Sequence, residues 1–266
     1  MSDTAAAQQN RNTRGSFIWY ELLTPDPDAS AAFYGHVVGW TAAGAGQPGV
    51  DYRLFSANGS PVAGHMKLPD GAEQAGMRPG WMGYIGVDDV DSAVADIEAA
   101  GGKVHMPAMD MAGVGRMALV ADPQGVPFYV MRGESEQPSG SFDCVKAGHC
   151  SWNELSTPDQ AGALAFYTGQ FGWEAGDVMP MGEMGGYQFI NHGGEMIGAM
   201  MTAPPGQPAG WKFAFGVPDI DEAAARIAAA GGTVHHGPVE VPNGDRVVMA
   251  TDPQGAPFIV VGPREA

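Results

Sequence analysis

An internal repeat is the feature that most limits how this chain of 266 residues can fold. The segment DPQG at 122–125 returns 130 positions later, at 252–255, and Trp81 returns at the same spacing as Trp211. Nearer the N-terminus, WYEL at 19–22 matches WNEL at 152–155, which is 133 positions later. Self-similarity of this extent indicates a duplicated domain. We therefore predict a flexible tail at 1–14, one domain at 15–131, a polar linker at 132–146 and a second domain at 147–262.

Within each copy, strand and helix signals alternate in one order. In the first copy, the apolar run at 17–23 predicts a strand, and the next segment begins with capping residues and ends at Gly39, as a short helix does. The dipeptide Asn58-Gly59 predicts a hairpin turn between two strands. A strand at 81–87, a helix stopped by Gly101-Gly102 and three short strands complete the copy. The order β-α-β-β-β is therefore predicted twice per copy and four times in the chain.

Composition limits the partners and the compartment. The formal net charge of −17 repels the phosphates of nucleic acid and anionic lipid, so we expect neither nucleic acid nor a membrane as partner. The polar N-terminus lacks the apolar core of a signal peptide, and no apolar run reaches the roughly 18 residues of a membrane span. The two cysteines form no disulfide framework or zinc motif. We expect a cytoplasmic protein whose partner is a small-molecule ligand, and we leave a homodimer open.

Several repeated motifs give the chain a family resemblance. Paired βαβββ modules, FY at 33–34 followed by GW at 39–40, and DPxG before the last strand resemble the glyoxalase/bleomycin-resistance/dioxygenase superfamily, also called the vicinal oxygen chelate fold. The WxELxTPD opening of both copies is similar to a tandem-domain subgroup of glyoxalases or hydroxylases with a mycobacterial member. The resemblance covers nearly all of residues 15–262. It implies an α+β fold: two tandem glyoxalase-like domains, each of two βαβββ modules around a cupped antiparallel sheet.

The resemblance also implies where a metal would bind. Metal-using members carry a His or Gln seven residues before the Asp that ends the first strand, a His at the start of the fifth strand, and a Glu four residues after DPxG. Here these positions hold Trp19, Met82 and Tyr129 in the first copy and Trp152, Lys212 and Ile259 in the second. Divalent cations need oxygen and imidazole donors, which indole, thioether, ammonium and alkyl groups do not supply. We therefore predict that the usual metal site is absent and that the protein uses no cofactor.

Two glutamates are the candidate catalytic residues. Side chains alternate along a strand, so Glu21 points to the same face as Trp19, and Glu154 to the same face as Trp152. If this face lines the cup, a carboxyl group beside an indole in apolar surroundings has a raised pKa, which suits acid–base catalysis. Alternatively, each glutamate is structural and pairs with an arginine or accepts backbone hydrogen bonds. The two tryptophans could likewise pack in the core or line a pocket.

Three classes of function follow, in order of preference. The first is a metal-independent protein that binds a small aromatic or carbonyl compound in a cupped pocket. The second is a glyoxalase-related lyase, isomerase or hydroxylase that uses Glu21 or Glu154 as its acid–base group. The third is an interaction module that keeps the fold and has a filled pocket.

Differences between the copies favour the N-terminal cup as the ligand site. The first copy has the phenol of Tyr129, and we expect His65 and Glu21 to lie nearby, which gives it more groups able to orient a polar ligand. His65 lies in a predicted inner strand, where we align Ala199 of the second copy. In the second copy, we expect Lys212 to satisfy the charge of Glu154, which leaves that acid a structural role.

Overall fold

The computed structural model describes residues 12–46, 49–72, 74 and 76–264. Within the first half of these residues, one module comprises β1 (Phe17–Thr24), α1 (Pro27–Val37), β2 (Thr41–Gly44), β3 (Tyr52–Ala57) and β4 (Ser60–Lys67). The next module comprises β5 (Gly80–Gly86), α2 (Val90–Ala99), β6 (Lys103–Met111), β7 (Gly115–Ala121) and β8 (Pro127–Gly133).

The second half of the described chain repeats this order. Its first module comprises β9 (Cys150–Thr157), α3 (Gln160–Phe171), β10 (Glu174–Pro180), a 3₁₀ turn (Gly182–Met184), β11 (Gly186–His192) and β12 (Glu195–Thr202). Its second module comprises β13 (Gly210–Gly216), α4 (Ile220–Ala229), β14 (Thr233–Glu240), β15 (Arg246–Thr251) and β16 (Pro257–Gly262). The predicted β-α-β-β-β order is thus confirmed in all four modules.

Each of these four helices begins after an aspartate. The carboxylates of Asp26, Asp89, Asp159 and Asp219 each accept a hydrogen bond from the backbone N–H three residues further along. Such a cap satisfies an N–H group that has no partner within the helix, and replacing it with alanine typically costs about 1 kcal/mol. At the predicted hairpin, Asn58 and Gly59 both have positive φ, as the favoured two-residue turn requires.

The strands of the described residues form two eight-stranded sheets, one in each half of the chain. Their strand orders are β2-β3-β4-β1-β5-β8-β7-β6 and β10-β11-β12-β9-β13-β16-β15-β14. The predicted α+β class and the repetition of one architecture in the two halves are confirmed. The sheets are mixed rather than wholly antiparallel, because β1 pairs with β4, β5 with β8, and β13 with β16 in parallel. A parallel pair needs a crossover connection, which in these modules includes the helix.

Contacts between Cα atoms divide the chain into two compact units that do not coincide with its halves. The first unit consists of the chain up to Ile18 with Gly83–Ser139 and Glu154–Trp211, and so holds α2, β6–β8, α3 and β10–β12. The second consists of Trp19–Met82, Gly140–Asn153 and the chain from Lys212 onward, and so holds α1, β2–β4, α4 and β14–β16. Each unit therefore takes one module from each half. The domain boundaries at 131 and 147 stay a prediction from the sequence.

The repeated motif residues form the core of the second unit. The indole N–H of Trp81 donates to the hydroxyl of Tyr34 at 2.9 Å, and that hydroxyl donates to Oδ2 of Asp252 at 3.3 Å. The ring of Trp40 stacks on Tyr34. Burial raises the pKa of the Asp252 carboxyl above its ordinary value. The FY motif of the first copy thus contacts the DPQG loop of the other copy, and the tryptophan of the GW motif packs on the FY tyrosine.

The first unit contains the equivalent cluster, in which the tyrosine comes from the second copy and the DPQG aspartate from the first. Trp211 donates to the hydroxyl of Tyr167 at 3.1 Å, and Tyr167 donates to Oδ2 of Asp122 at 3.3 Å. The ring of Trp173 is nearly parallel to that of Tyr167. A buried tyrosine or tryptophan needs a partner for its polar atom, and both clusters satisfy this requirement. The residues that carry the repeat therefore have a packing role here.

Two residues near the end of the predicted flexible tail make hydrogen bonds to other parts of the chain. Oδ1 of Asn12 accepts a hydrogen bond from the backbone N–H of Ser139 at 2.6 Å, and Arg14 donates to the carbonyl of Gln170 at 2.7 Å. The rest of the predicted tail, 1–11, lies outside the described residues. Among the residues described, no helix has the length and apolar character needed to cross a membrane.

Candidate functional site

The first strand has two different faces. Tyr20 and Leu22 are fully buried and point to the side covered by α1, whereas Trp19 and Glu21 point to the opposite side, because strand side chains alternate. Trp19 is half-buried, and Glu21 is only 4% exposed. As predicted from alternation, the indole and the carboxyl group thus share the face that the helix does not cover.

A tyrosine that the sequence interpretation missed completes this group of residues. The hydroxyl of Tyr52, on β3, accepts the indole N–H of Trp19 at 2.8 Å. The phenol lies over Gly64 of β4, where a Cβ atom would come within 2.0 Å of the Tyr52 oxygen. Gly64 is the register partner of Glu21 in the parallel pairing of β1 with β4. The second unit therefore places Trp19, Glu21 and Tyr52 together, and only glycine at position 64 leaves room for the phenol.

His65 does not belong to this face and so does not share it with Glu21; that either residue lies near Tyr129 stays a prediction from the sequence. The register partner of His65 is Leu22, which points to the α1 side, and the His65 ring is fully buried and stacks on Phe55 at 4.0 Å. Burial is the main cause that lowers the pKa of His65 to about 4, and the nearby Arg53 guanidinium adds to it. Neither ring nitrogen has a hydrogen-bond partner among the described residues. His65 is a neutral core residue.

The counterpart of His65 is Met200 rather than Ala199. In the first hairpin His65 lies opposite Arg53, with a bulge after Phe55; in the second, Met200 lies opposite Gln188, with a bulge after Ile190. The two registers agree only when the hairpins are aligned 135 positions apart, which pairs residue 65 with 200. A shift of one residue moves a strand position to the other face, which explains the incorrect alignment.

The second copy has its own glutamate–tyrosine pair. Tyr187 of β11, the counterpart of Tyr52, donates its hydroxyl hydrogen to Oε2 of Glu154 at 2.9 Å, and Glu154 is 4% exposed. The side-chain amide of Gln160, at the start of α3, donates to the carbonyls of Gly186 and Met200. This brace fixes the backbone next to Tyr187. The recurrence of tyrosine at 52 and 187 is the sequence signal that could have identified both residues.

The remaining predicted site residues lie as follows. Met82, Trp152 and Lys212 are half-buried and belong to the second unit, whereas Glu154 belongs to the first. A pairing of Lys212 with Glu154 stays a prediction from the sequence. Tyr129 belongs to the first unit, and its ring stacks on that of Tyr84, with centroids 4.2 Å apart.

The side chains at the metal-ligand positions implied by the fold do not fit a divalent metal. Those of the first copy are an indole, a thioether and a stacked phenol, and those of the second are an indole, an ammonium group and a buried alkyl chain. Hard cations prefer carboxylate and carbonyl oxygens, and zinc prefers imidazole or thiolate. Throughout the part of the chain that the structure describes, no three His, Cys, Asp or Glu side chains are grouped so that they could hold a metal ion.

A family model establishes what these features have in common with known proteins. The model of the Glyoxalase/Bleomycin resistance protein/Dioxygenase superfamily matches residues 16–130 and 146–260. The chain belongs to this superfamily. The family resemblance inferred from FY, GW and DPxG is therefore confirmed.

Full-length relatives share about a third of the sequence. A protein of Mycobacterium tuberculosis with the provisional name glyoxylase CFP32 is 36% identical over 253 residues, which cover 94% of this chain and 95% of the relative. The anthracycline biosynthesis protein DauV of a Streptomyces species is 36% identical over 266 residues, with 95% and 94% covered. Both superfamily relatives align over nearly their whole length.

Solved structures share the fold at lower identity. A Mn(II)-bound glyoxalase from Novosphingobium aromaticivorans is 20% identical, with a TM-score of 0.64 and 96% of this chain and 84% of that chain covered. A 2,2',3-trihydroxybiphenyl 1,2-dioxygenase from Sphingomonas wittichii is 14% identical, with a TM-score of 0.67 and 94% and 90% covered. At this identity the similarity concerns the fold alone.

Proposed function

We propose that the protein binds a small aromatic or carbonyl compound on the sheet face that carries Trp19 and Glu21. The observation that carries the proposal is the hydrogen bond from Trp19 to the Tyr52 hydroxyl, made beside the buried Glu21. Ligand sites are mostly apolar, with a few polar groups that fix the orientation of the ligand. The Tyr52 oxygen accepts the indole N–H of Trp19, and a phenol can in addition donate its own proton.

The second copy differs in its brace, because the first-copy counterpart of Gln160 is Pro27, which has no side-chain amide. In the second copy the equivalent phenol of Tyr187 donates to Glu154, and Gln160 braces the strand behind it. This arrangement gives Glu154 a structural partner. The names of two relatives, a glyoxylase and an anthracycline biosynthesis protein, are in keeping with carbonyl and aromatic ligands. We therefore retain the N-terminal copy as the ligand-binding one.

A titration with matched variants tests the proposal. We expect cyclohexanone or phenol to bind the full-length protein in calorimetry, in the presence of a metal chelator. Glu21→Gln should weaken the binding of phenol, which can donate to the carboxylate, about tenfold or more, since hydrogen bonds to charged groups contribute about 1.5–3 kcal/mol. Glu154→Gln, its counterpart, should leave the affinity unchanged. If only Glu154→Gln weakens binding, the wrong copy has been chosen; if neither compound binds, the protein is better described as an interaction module.

Acid–base catalysis by Glu21 is the second candidate, and its burial beside Tyr52 favours it. In such a reaction Glu21 removes a proton from the carbon next to a carbonyl group, the C–H electron pair forms the enolate, and a proton returns to carbon. Incubation of cyclohexanone in heavy water, followed by proton NMR, measures this exchange. If Glu21 is the catalytic base, the protein exchanges these protons faster than buffer alone does, and Glu21→Gln loses this acceleration. An unchanged exchange rate in Glu21→Gln rules out catalysis by Glu21.

A further inference from the structure

The middle strands of the first unit carry a stacked pair of tyrosines. Tyr84 on β5 and Tyr129 on β8 are register partners, and their ring planes differ by only 13°. Tyr84 is 3% exposed, whereas Tyr129 is half-buried. Phe128 and Val130, on either side of Tyr129 in the sequence, are fully buried and point to the opposite face. Tyr129 is therefore the accessible ring of the pair.

The side chains around Tyr129 on this face are apolar and adaptable. Leu119 of β7 is the register partner of Tyr129, and Met117 is that of Met131. Leu119 and Met131 are half-buried, as Tyr129 is. Methionine is unbranched and polarizable, so it accommodates ligands of irregular shape. The face thus offers an aromatic ring within a surface of leucine and methionine.

The second copy serves as an internal comparison for this face. Its counterparts of Tyr84 and Tyr129 are Ala214 and Ile259, which are likewise register partners. Both members of the tyrosine pair are therefore replaced together. The packing residues described above, by contrast, are the same in both copies: Trp81 and Trp211, Tyr34 and Tyr167, Asp122 and Asp252. The tyrosine pair is not needed for the fold that the two copies share.

We propose that Tyr84 and Tyr129 form a platform that selects a flat aromatic ring, which stacks on Tyr129 as the third ring of the series. This inference goes beyond the proposed function: it assigns a second site, for planar aromatic compounds, to the first unit, whereas Trp19 and Glu21 belong to the second unit. Parallel, offset stacking is a preferred arrangement of aromatic rings, and an alkyl ring of the same size cannot reproduce it. The buried Tyr84 holds Tyr129 in place, which lowers the entropic cost of forming the stack.

Two probes with the same carbon skeleton test the platform. Calorimetric titration should show that 2-naphthol binds the full-length protein more tightly than its saturated analogue, decahydro-2-naphthol. Tyr129→Ile, which introduces the residue of the second copy, should weaken 2-naphthol binding about tenfold and change the affinity for the saturated probe less than about twofold. Tyr129→Phe should keep the preference, because it retains the ring. The matched control Ile259→Val should leave both affinities unchanged.

Where both probes bind, three outcomes overturn the platform. They are equal affinities of the two probes for the unaltered protein, an equal loss of both in Tyr129→Ile, and a lost preference in Tyr129→Phe while its melting temperature is unchanged. Failure of both naphthalene-type probes to bind also overturns it. If phenol still binds in a way that depends on Glu21, the proposed function stands and only the aromatic platform fails.

Discussion

The phenol of Tyr187 donates a hydrogen bond of 2.9 Å to the carboxylate of Glu154, which is almost completely buried. The corresponding phenol in the first copy, Tyr52, accepts the indole N–H of Trp19. The duplication has thus kept the tyrosine and the glutamate in both copies, and each hydroxyl group makes a side-chain hydrogen bond. These two hydrogen bonds lead to separate expectations for stability and for ligand binding.

Removal of the Tyr187 hydroxyl should lower stability. Tyr187→Phe leaves the ring in place but deprives the buried Glu154 of a donor, and losing a partner of a buried charged group costs about 1–3 kcal/mol. Urea denaturation measures the loss. Glu195→Gln, at an exposed position of the same copy, is the control and should change the free energy of unfolding little. An unchanged midpoint in Tyr187→Phe would show that the hydrogen bond does not stabilise the fold.

His65 should make the stability pH-dependent. The folded protein holds its pKa at about 4, below the ordinary value of about 6.5, so the unfolded chain binds the proton first. The stability is fully present above about pH 6.5 and falls as the pH drops toward 4, by at most about 1.4 kcal/mol per pH unit. Arg53, with Asp28 and Asp51 bound to it, lies beside the ring and is charged in this range.

The matched variant for this prediction is His65→Met, which places the residue of the second copy in the first. Melting curves at about pH 7 and about pH 5 compare the two proteins. We expect the unaltered protein to lose more stability between these pH values than His65→Met does. All other titrating groups are common to both, so equal losses would mean that His65 does not contribute.

The local part of the fold could be predicted from the sequence. The strand and helix order, the turn at Asn58-Gly59 and the aspartate caps depend on residues close together in the chain. The combination of one module from each half in a compact unit could not be predicted, because contacts such as Tyr34 with Asp252 join residues far apart in sequence. The repeat revealed the motifs but not which copy each motif contacts.

The candidate site was predicted in part for the same reason. Alternation along one strand correctly placed Trp19 and Glu21 on the same face. Tyr52 and the true face of His65 depend on the register between β3, β4 and β1, which the local pattern does not specify. An alignment of the two hairpins by the recurring tyrosines, 52 and 187, would have given the register.

Chelation should leave the protein unchanged. Because the side chains at the family's ligand positions are poor metal donors, we expect less than one divalent metal ion per domain by elemental analysis, and the same melting temperature with and without chelator. A metal that binds the folded state stabilises it, so its removal would lower the melting temperature. About one metal ion per domain, lost with the chelator together with several degrees of stability, would contradict the prediction.

A single added oxygen should stabilise the second copy. In the first copy, Ser30 bonds to Thr24 at 2.8 Å and donates to Gln254 at 3.3 Å. The counterpart of Ser30 is Ala163. The counterparts of Thr24 and Gln254 are Thr157 and Gln124, whose Oγ1 and Oε1 atoms have no hydrogen-bond partner among the described residues. Buried polar atoms without partners cost about 1–3 kcal/mol each.

Ala163→Ser should therefore raise the free energy of unfolding by about 1 kcal/mol, since one hydroxyl can serve both atoms as Ser30 does. The reverse change in the first copy, Ser30→Ala, should lower it by a similar amount. Urea denaturation of the two variants and the unaltered protein compares them directly. A loss of stability in Ala163→Ser, with the expected loss in Ser30→Ala, would show that the two networks differ in spacing and that the buried helix face around Ala163 has no room for the oxygen.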